Sequence, residues 1–290
     1  MKLSKISVII SVVTLVLLVI GFAIYILMNK IKADSGSTVP VVSESDLKTV
    51  KTDGSIIESD TRAEVNIPIL MYHHIRDYND PADKVGTDLS VKPSNFKAQI
   101  DYLKDNGFAT ITLEELNSFP TRKLPEKPVI ITFDDGYDNA YNEAYPLLKA
   151  NGQIGVFYII SSYIGREGFL TAIQIKELSD NKMEIGSHTA DHIDMTQLSA
   201  DKLYYEVTES KNRLESIIGR KVRSFCYPSG KHNDTVDDAV KNAGYLNATT
   251  TYMAMSSTSE NKMILSRLRI NPSDNITSFA NKVANNKTKK

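Results

Sequence analysis

The sequence predicts an α/β fold with a parallel sheet. Between residues 67 and 283, short apolar segments alternate about seven times with segments of helical periodicity. Single strands separated by helices favour parallel pairing through crossover connections. Polar motifs follow the strands at their C-terminal ends, which is where α/β barrels build their sites. We therefore expect a (β/α) barrel, with a doubly wound open sheet as the alternative.

The expected strands are apolar runs bounded by turn-forming residues. Pro128 marks the start of the central one, whose residues are apolar on both faces, as in a buried parallel strand. The expected strands cover residues 67–72, 108–113, 129–133, 155–160, 183–186, 223–227, 246–250 and 263–270.

The expected helices begin at polar capping residues and several end at glycine. Ser199 is predicted to cap the longest one, because a serine hydroxyl accepts a hydrogen bond from a free N–H of the first turn. The expected helices cover residues 93–106, 113–119, 141–150, 171–180, 199–218, 234–242 and 276–283.

The N-terminal segment differs from the rest of the chain. Residues 6–28 carry no charge, and as a helix they would extend roughly 34 Å, enough for the ~30 Å bilayer core. We predict a membrane anchor at 1–32 with a transmembrane helix at about 6–28, and a flexible Ser-, Thr- and acid-rich linker at 33–64. A folded domain is expected at 65–285 and a tail at 286–290. Cleavage of the anchor, which would give a secreted protein, is the alternative.

Bulk composition narrows the function class. The formal net charge of −1 gives no general attraction to nucleic acid, so no nucleic-acid partner is expected. The single cysteine, Cys226, excludes an internal disulfide. With 290 residues, 41% of them hydrophobic, the chain can form one large core or two small ones.

The central strand ends in two adjacent carboxylates, Asp134 and Asp135, followed by Gly136. Two ionised carboxylates this close require a cation or a proton between them. A turn at the glycine would bring both toward one pocket. Asp-Asp-Gly is also a common turn sequence. This motif alone therefore leaves two interpretations, a metal-plus-base site and a solvated turn.

Histidines and a proline turn follow three other strands. His73-His74 end the first strand, His188 and His192 follow the strand at 183–186, and Pro228-Ser229-Gly230 follow the strand at 223–227. Residues four apart face the same way if the backbone turns helically. Together with Asp135 the later histidine pair suits a transition metal such as Zn²⁺, and three protein ligands leave a position open for catalysis. Surface histidines in a loop are the alternative.

Two motifs resemble those of a known family. Thr132-Phe133-Asp134-Asp135-Gly136 and Ser187-His188-Thr189-Ala190-Asp191-His192 are similar to the first two motifs of the polysaccharide deacetylases, also called NodB-like domains or carbohydrate esterase family 4. The resemblance covers residues 67–282 and implies a distorted (β/α) barrel. It implies that Asp134 is the catalytic base. It also implies that Asp135, His188 and His192 bind a divalent metal, Zn²⁺ or else Co²⁺ or Ni²⁺.

Three departures from the family pattern affect the rest of the site. Cys226 stands where the third motif usually has arginine, and Ser229 stands where it usually has tyrosine, although the Ser229 backbone N–H would still serve the oxyanion. The late Leu-x-His motif is absent from residues 265–270. That strand carries Arg267 and Arg269 instead, and one of the two is a candidate to orient Asp134.

The opening motif Leu70-Met71-Tyr72-His73-His74-Ile75 resembles a subgroup, the biofilm-matrix poly-N-acetylglucosamine deacetylases. In that subgroup a Tyr-His near the start supplies the histidine of the missing late motif. The resemblance therefore implies that His73, not His74, is the catalytic acid. Tyr137, with Asp138 and Tyr163, is a candidate to line a sugar groove.

These observations predict a membrane-tethered, metal-dependent deacetylase with its catalytic domain outside the cell. The expected substrates are glycans containing N-acetylglucosamine (GlcNAc), with poly-N-acetylglucosamine and peptidoglycan as the leading ones. The alternatives are an O-acetyl esterase acting on acetylated glycans and an inactive metal- and glycan-binding module. The presence of Asp134 argues against the inactive module, because a decayed enzyme need not keep its base.

Overall fold

The computed structural model describes residues 64–284 of the chain. The predicted transmembrane helix at 6–28, the tail at 286–290 and all of the predicted linker except Glu64 lie outside these residues. Within the described part, no helix is long and apolar enough to cross a bilayer.

Seven parallel strands form a closed barrel. Each pairs with the next in the order β2 (Ile69–Tyr72), β12 (Leu265–Arg269), β10 (Asn247–Met253), β9 (Ser224–Cys226), β8 (Glu184–Ser187), β7 (Val156–Ile159) and β6 (Pro128–Phe133). The barrel closes because β2 also pairs with β6, from Ile69 opposite Ile130 to Tyr72 opposite Phe133. The predicted barrel is confirmed, and the open-sheet alternative is wrong.

The remaining strands are short. β5 (Ala109–Thr110), predicted as 108–113, adds two residues beside the beginning of β6. Outside the barrel, β1 (Asn66–Ile67) pairs with β11 (Ser256–Ser257), and β3 (His74–Ile75) pairs with β4 (Ser90–Val91).

The helices lie close to their predicted positions. They are α1 (Lys84–Asp88), α2 (Pro93–Asp105), α3 (Leu113–Asn117), α4 (Tyr145–Asn151), α5 (Ala172–Asp180), α6 (Ala200–Ile218), α7 (Asp234–Asn242) and α8 (Ile276–Ala284). Ser199 caps α6 as predicted, since its hydroxyl accepts a hydrogen bond from the Lys202 N–H.

Two helical segments differ from prediction. The short helix α1 lies in a stretch that was expected to be irregular. The helix predicted at 141–150 begins with a π-helical turn at Ala140–Ala144 before α4. Pro146 has no N–H to donate to the preceding turn, so a regular α-helical ladder cannot run through this point.

Alternation along the strands separates the inside of the barrel from the outside. In β6, Ile130 belongs to an inner apolar cluster, whereas Ile131 and Phe133 pack in the cluster that includes the helices. Successive strand residues point to opposite faces. Asp134 follows Ile130 and Thr132 at a period of two, so its side chain continues the inner face at the C-terminal end of the barrel.

The opposite end of the barrel is closed by α3. Leu113 and Leu116 pack in the inner cluster. The buried Glu184 carboxylate at the start of β8 accepts hydrogen bonds from the N–H groups of Leu113, at 2.7 Å, and Glu114, at 3.3 Å. The Ser224 hydroxyl also donates to it. Burial outweighs these hydrogen bonds and raises the pKa of Glu184 to about 7.

The raised pKa of Glu184 predicts a pH-dependent stability. The folded state binds the proton more tightly than the unfolded chain, so this contribution is complete below about pH 4.5 and is lost between about 4.5 and 7. The expected loss of unfolding free energy is on the order of 3 kcal/mol, because one pKa unit corresponds to about 1.36 kcal/mol.

Denaturant unfolding from pH 4.5 to 7.5 should show a much smaller loss for Glu184→Gln than for the native chain. Glu167→Gln, which removes an exposed loop carboxylate, should behave like the native chain, and equal pH slopes in all three would contradict the prediction.

Candidate active site

The two carboxylates after β6 are separated by a left-handed turn. Asp135 has a φ of 72° and Gly136 a φ of 78°, so the turn begins one residue earlier than the sequence predicted. A left-handed aspartate is uncommon, and such strained residues cluster at functional sites. Both carboxylates are buried, and each faces its own set of partners.

Asp135 lies with His188 and His192 in one cluster of potential metal donors. Its Oδ1 is 3.3 Å from the Nε2 of His188 and 3.4 Å from the Nε2 of His192. Tetrahedral ligands with bonds of about 2.0–2.2 Å lie about 3.3–3.6 Å apart, so this donor set fits a zinc-like ion. The structure thus brings together the three predicted ligands, and they have the spacing of a metal site.

The protonation of these groups also suits a cation. The Nδ1 of His188 lies 2.7 Å from the Cys226 carbonyl, which can only accept, so Nδ1 carries a proton. In the neutral ring, Nε2 then presents a lone pair toward Asp135, and a cation between these atoms satisfies both. Burial lowers the pKa of His192 and favours its neutral, ligating form.

The loop that carries His188 and His192 brings both rings to Asp135 without the helical turn that the sequence spacing suggested. Thr189 and His192 both have positive φ, 66° and 58°, and the residues between them are irregular. The His192 N–H donates to the Thr189 hydroxyl at 2.9 Å, which closes the loop on itself. The two rings meet edge to face with centroids 4.8 Å apart.

Two buried side chains of α6 hold this loop, and the sequence analysis did not single them out. Glu206 accepts a hydrogen bond from the Asp191 N–H at 2.9 Å, and the Ser210 hydroxyl lies 2.6 Å from that of Ser187. Helical periodicity in the sequence could have identified both residues, because they fall on the buried stripe of α6 that includes Leu203 and Val207.

Asp134 is held by Arg267, one of the two arginines that the sequence offered as candidates to orient it. The Nη1 and Nη2 of Arg267 lie 2.7 and 2.8 Å from the two carboxylate oxygens, a bidentate pair in which both residues are buried. Burial opposes the negative charge, but the guanidinium outweighs it and lowers the pKa of Asp134. Asp134 is therefore ionised at neutral pH.

Cys226 makes room for this arginine. Its Sγ lies 3.2 Å from Arg267 Nη2 and 3.7 Å from Asp134 Oδ2, inside the barrel. The family's usual arginine at this position of β9 would compete for the same space. The chain thus supplies the guanidinium from β12 instead of β9. Arg269, by contrast, reaches the backbone oxygen of Asp88, outside this cluster.

The two neighbouring histidines after β2 have different surroundings. His73 Nε2 lies 3.8 Å from Asp134 Oδ2, and burial lowers the pKa of His73. His74 instead contacts Asn139 through Nδ1, at 2.9 Å, and stacks on Tyr137 with ring centroids 3.5 Å apart. Only His73 of this pair lies beside the expected base.

Tyr137 belongs to a run of aromatic contacts that leads away from Asp135. Burial, with the charge of Asp135 as the next cause, raises the pKa of Tyr137. Its ring lies 5.1 Å from that of Phe169, which lies 4.9 Å from Tyr163. Phe169 was not singled out from the sequence. The neighbouring Asp138 joins the same loops, since its N–H donates to the Gly168 carbonyl.

Ser229 is exposed on a tight turn at the end of β9. Its φ is 54°, and the next residue, Gly230, has a φ of 71°. A Cβ at Gly230 would come within 2.6 Å of the Thr251 backbone nitrogen, so only glycine fits here. The Thr251 hydroxyl donates to the Ser229 carbonyl at 3.2 Å, which fixes the turn against β10.

Similarity to known proteins agrees with this geometry. The profile of the family described as polysaccharide deacetylase matches residues 121–248. Over 214 residues the chain is 33% identical to YxkH of Bacillus subtilis, which is grouped with the polysaccharide deacetylases, and the alignment covers 73% of this chain and 74% of that one. The chain belongs to the polysaccharide deacetylase family. It is therefore a deacetylase hydrolase. The profile match at 121–248 contains Asp134, Asp135, His188 and His192, but neither His73 nor Arg267.

Two further relatives of this polysaccharide deacetylase are informative. It is 28% identical over 198 residues to the poly-β-1,6-N-acetyl-D-glucosamine N-deacetylase of Staphylococcus aureus, covering 60% of this chain and 68% of that one. Its fold is similar to that of the Streptococcus pyogenes deacetylase PplD, solved in complex with acetate. That match has a TM-score of 0.71 and 30% identity, and it covers 76% of this chain and 99% of PplD.

The bidentate pair predicts that Arg267 positions Asp134 for catalysis. Arg267→Lys keeps the charge but loses the two-pronged contact, so kcat for acetate release should fall roughly 10- to 100-fold with little change in metal content. Arg269→Lys, on the same strand but away from Asp134, is the matched control. The double variant Cys226→Arg/Arg267→Ala, which moves the guanidinium to β9, should recover part of the loss. Native kcat in Arg267→Lys would contradict the assignment.

Proposed function

We propose that this deacetylase is a metal-dependent N-deacetylase of GlcNAc-containing extracellular or cell-wall polysaccharide. The observation that carries the proposal is the adjacency of two functional groupings. Asp135, His188 and His192 form one donor cluster, and the arginine-held Asp134 lies beside it with His73. This combination provides a metal site, a base and an acid within one pocket.

Asp135, His188 and His192 are the residues that would hold the metal. A divalent cation bound there, Zn²⁺ or else Co²⁺ or Ni²⁺, supplies a Lewis acid for the amide carbonyl and for the attacking water. The carbonyl of Cys226 fixes the ring of His188, and Glu206 fixes the loop that carries His192. Such supporting contacts orient the ligands and tune their basicity.

Asp134 acts as the general base. Arg267 keeps it ionised and fixes the direction of its oxygens, so it can accept a proton from the attacking water. The positive charge of Arg267 also disfavours binding of the cation to Asp134, while each carboxylate oxygen keeps a further lone pair for the proton. Asp135 is thereby left as the carboxylate ligand.

His73 and Ser229 act on the substrate as the amide breaks. The backbone N–H of Ser229 donates to the oxyanion of the tetrahedral intermediate. His73, in its protonated form, gives a proton to the departing amine, since an amide anion is too basic to leave unaided. Burial lowers the pKa of His73, and the Asp134 carboxylate 3.8 Å away opposes that effect by stabilising the protonated ring.

Poly-β-1,6-GlcNAc is the leading substrate. The support is the Staphylococcus aureus relative named for that activity, together with the Tyr72-His73 pair at the end of β2. Peptidoglycan is the second candidate, and the aromatic side chains Tyr137, Phe169 and Tyr163 provide packing surfaces for sugar rings in either polymer.

We also propose that the N-terminal segment anchors the enzyme in the cell membrane with the catalytic domain outside. The support is the uncharged run at residues 6–28 and the extracellular nature of the proposed substrates. Recovery of the full chain in a membrane fraction resistant to high salt would support the anchor, and recovery in the soluble fraction would exclude it.

Acetate release by the full chain in mild detergent tests the function. With Zn²⁺ restored, we expect release from poly-β-1,6-GlcNAc or peptidoglycan and none from acetylxylan, an O-acetylated polymer. Asp134→Asn should retain the metal and lose roughly 10²–10⁴ in kcat, while His188→Ala should lose the metal. Release from acetylxylan alone would favour an O-acetyl esterase. Bound metal with no release from any polymer would favour a binding module.

The acid role of His73 predicts a dependence on the leaving group. His73→Gln should lose roughly 10²–10⁴ on the GlcNAc amide but much less on p-nitrophenyl acetate, whose phenolate leaves without a proton. His74→Gln is the matched neighbour and should show one small loss common to both substrates. Equal losses on the two substrates for His73→Gln would contradict the role.

A further inference from the structure

An exposed tyrosine is held in place at the rim of the barrel. Tyr252, near the end of β10, is 54% exposed. Its hydroxyl lies 3.1 Å from His232 Nε2, and His232 Nδ1 lies 3.1 Å from both carboxylate oxygens of Asp237. Because a carboxylate only accepts, Nδ1 carries a proton, and in the neutral ring Nε2 accepts from the tyrosine.

The ring of His232, which contacts the Tyr252 hydroxyl, is itself well packed. The His232 side chain is only 12% exposed, and its ring lies 5.1 Å from that of the buried Tyr227. The rings of His232 and Tyr252 meet at 68° with centroids 5.6 Å apart. An exposed tyrosine normally samples several rotamers, whereas this one has a fixed hydroxyl and therefore little rotamer entropy to lose on binding.

The backbone that carries Tyr252 is joined to the candidate active site. The preceding Thr251 donates its hydroxyl to the carbonyl of Ser229, whose N–H is the proposed oxyanion donor. One residue earlier, the Thr250 carbonyl accepts from Nε of Arg267, the residue that holds Asp134. Tyr252 thus lies at the C-terminal mouth of the barrel, beside the turn that faces the substrate.

The strand order places Tyr252 across the mouth from the other aromatic side chains. Tyr137 follows β6, and β6 is separated from β10 by two strands on one side and three on the other. By strand order His188, which follows β8, lies between the two aromatic surfaces, and Asp135 lies two residues before Tyr137 at one of them. A linear polymer that crosses the mouth would meet Tyr137 on one side of the reacting sugar and Tyr252 on the other.

We propose that Tyr252, held by His232 and Asp237, is a stacking platform for a sugar residue next to the one that is deacetylated. This inference rests on the proposed function. A β-linked GlcNAc ring has equatorial substituents, so its faces present C–H groups that pack on an aromatic ring. The enzyme then binds its polymer at several sugars and acts on internal residues of a chain.

The test is the chain-length dependence of deacetylation by the full chain in detergent. With β-1,6-linked GlcNAc oligomers from dimer to hexamer, the native kcat/KM should rise with length. Tyr252→Ala should lose about ten-fold on the hexamer, mainly through KM, and the loss should shrink as the oligomer shortens. Tyr252→Trp, which keeps a stacking ring, should retain most of the native length dependence.

Two further variants separate the platform from general damage to the fold. Tyr204→Ala removes a more exposed tyrosine, 68% exposed on α6, and should leave the length dependence native. Asp237→Ala removes the acceptor for His232 without removing the ring of Tyr252, so it should give a loss smaller than that of Tyr252→Ala. Thermal unfolding and metal content are measured for each variant, and neither should follow the order of the KM changes.

Hexamer binding in the Asp134→Asn background distinguishes failure of this inference from failure of the proposed function. Weaker binding on adding Tyr252→Ala supports the platform even if no acetate is released, and in that case the proposed activity fails alone. Equal binding, or an identical kcat/KM for Tyr252→Ala and the native chain at every length, overturns the platform and leaves the proposed activity intact.

Discussion

The buried ion pair between Asp134 and Arg267 is the interaction on which the rest of the site depends. Burying two charges is costly unless the geometry is bidentate and the remaining hydrogen-bonding groups are satisfied. Here both conditions hold. The guanidinium also donates to the Thr132 hydroxyl at 3.0 Å and to the Thr250 carbonyl at 2.8 Å. These contacts connect β6, β10 and β12 at the mouth of the barrel.

The pair also allows two adjacent carboxylates to remain ionised in one pocket. Asp134 and Asp135 follow each other in the chain, and without separate counter-charges one of them would take up a proton. Arg267 neutralises the first, and the two histidines, with the cation they are suited to hold, neutralise the second. In an extended strand Asp135 would point to the opposite face from Asp134, whereas its left-handed φ directs its carboxylate to His188 and His192 at the mouth of the barrel. In the proposed mechanism the first carboxylate then serves as the base and the second as a metal ligand.

Closure of the barrel determines which histidine lies beside Asp134, the proposed base. In the parallel register, Tyr72 lies opposite Phe133, and the Asp134 N–H donates to the Tyr72 carbonyl at 2.9 Å. The residues that follow, His73 and Asp134, therefore emerge at the same height from neighbouring strands. His74 points away and packs on Tyr137. The distance between His73 and Asp134 along the chain is irrelevant once this register is set.

The sequence by itself determined the order of the seven barrel strands and of the longer helices, the motifs at the strand ends and the family, because these depend on local periodicity and on residue types at fixed spacing. It also identified Asp135, His188 and His192 as one donor set. Only the tertiary structure decided that the sheet closes through β2 and β6 and that the histidine loop converges without a helical turn. It likewise decided that Arg267, not Arg269, reaches Asp134. Glu206, Phe169 and the His232–Tyr252 contact were not evident from the sequence. Each of these depends on strand register or side-chain packing between distant segments, and local sequence patterns do not encode such contacts.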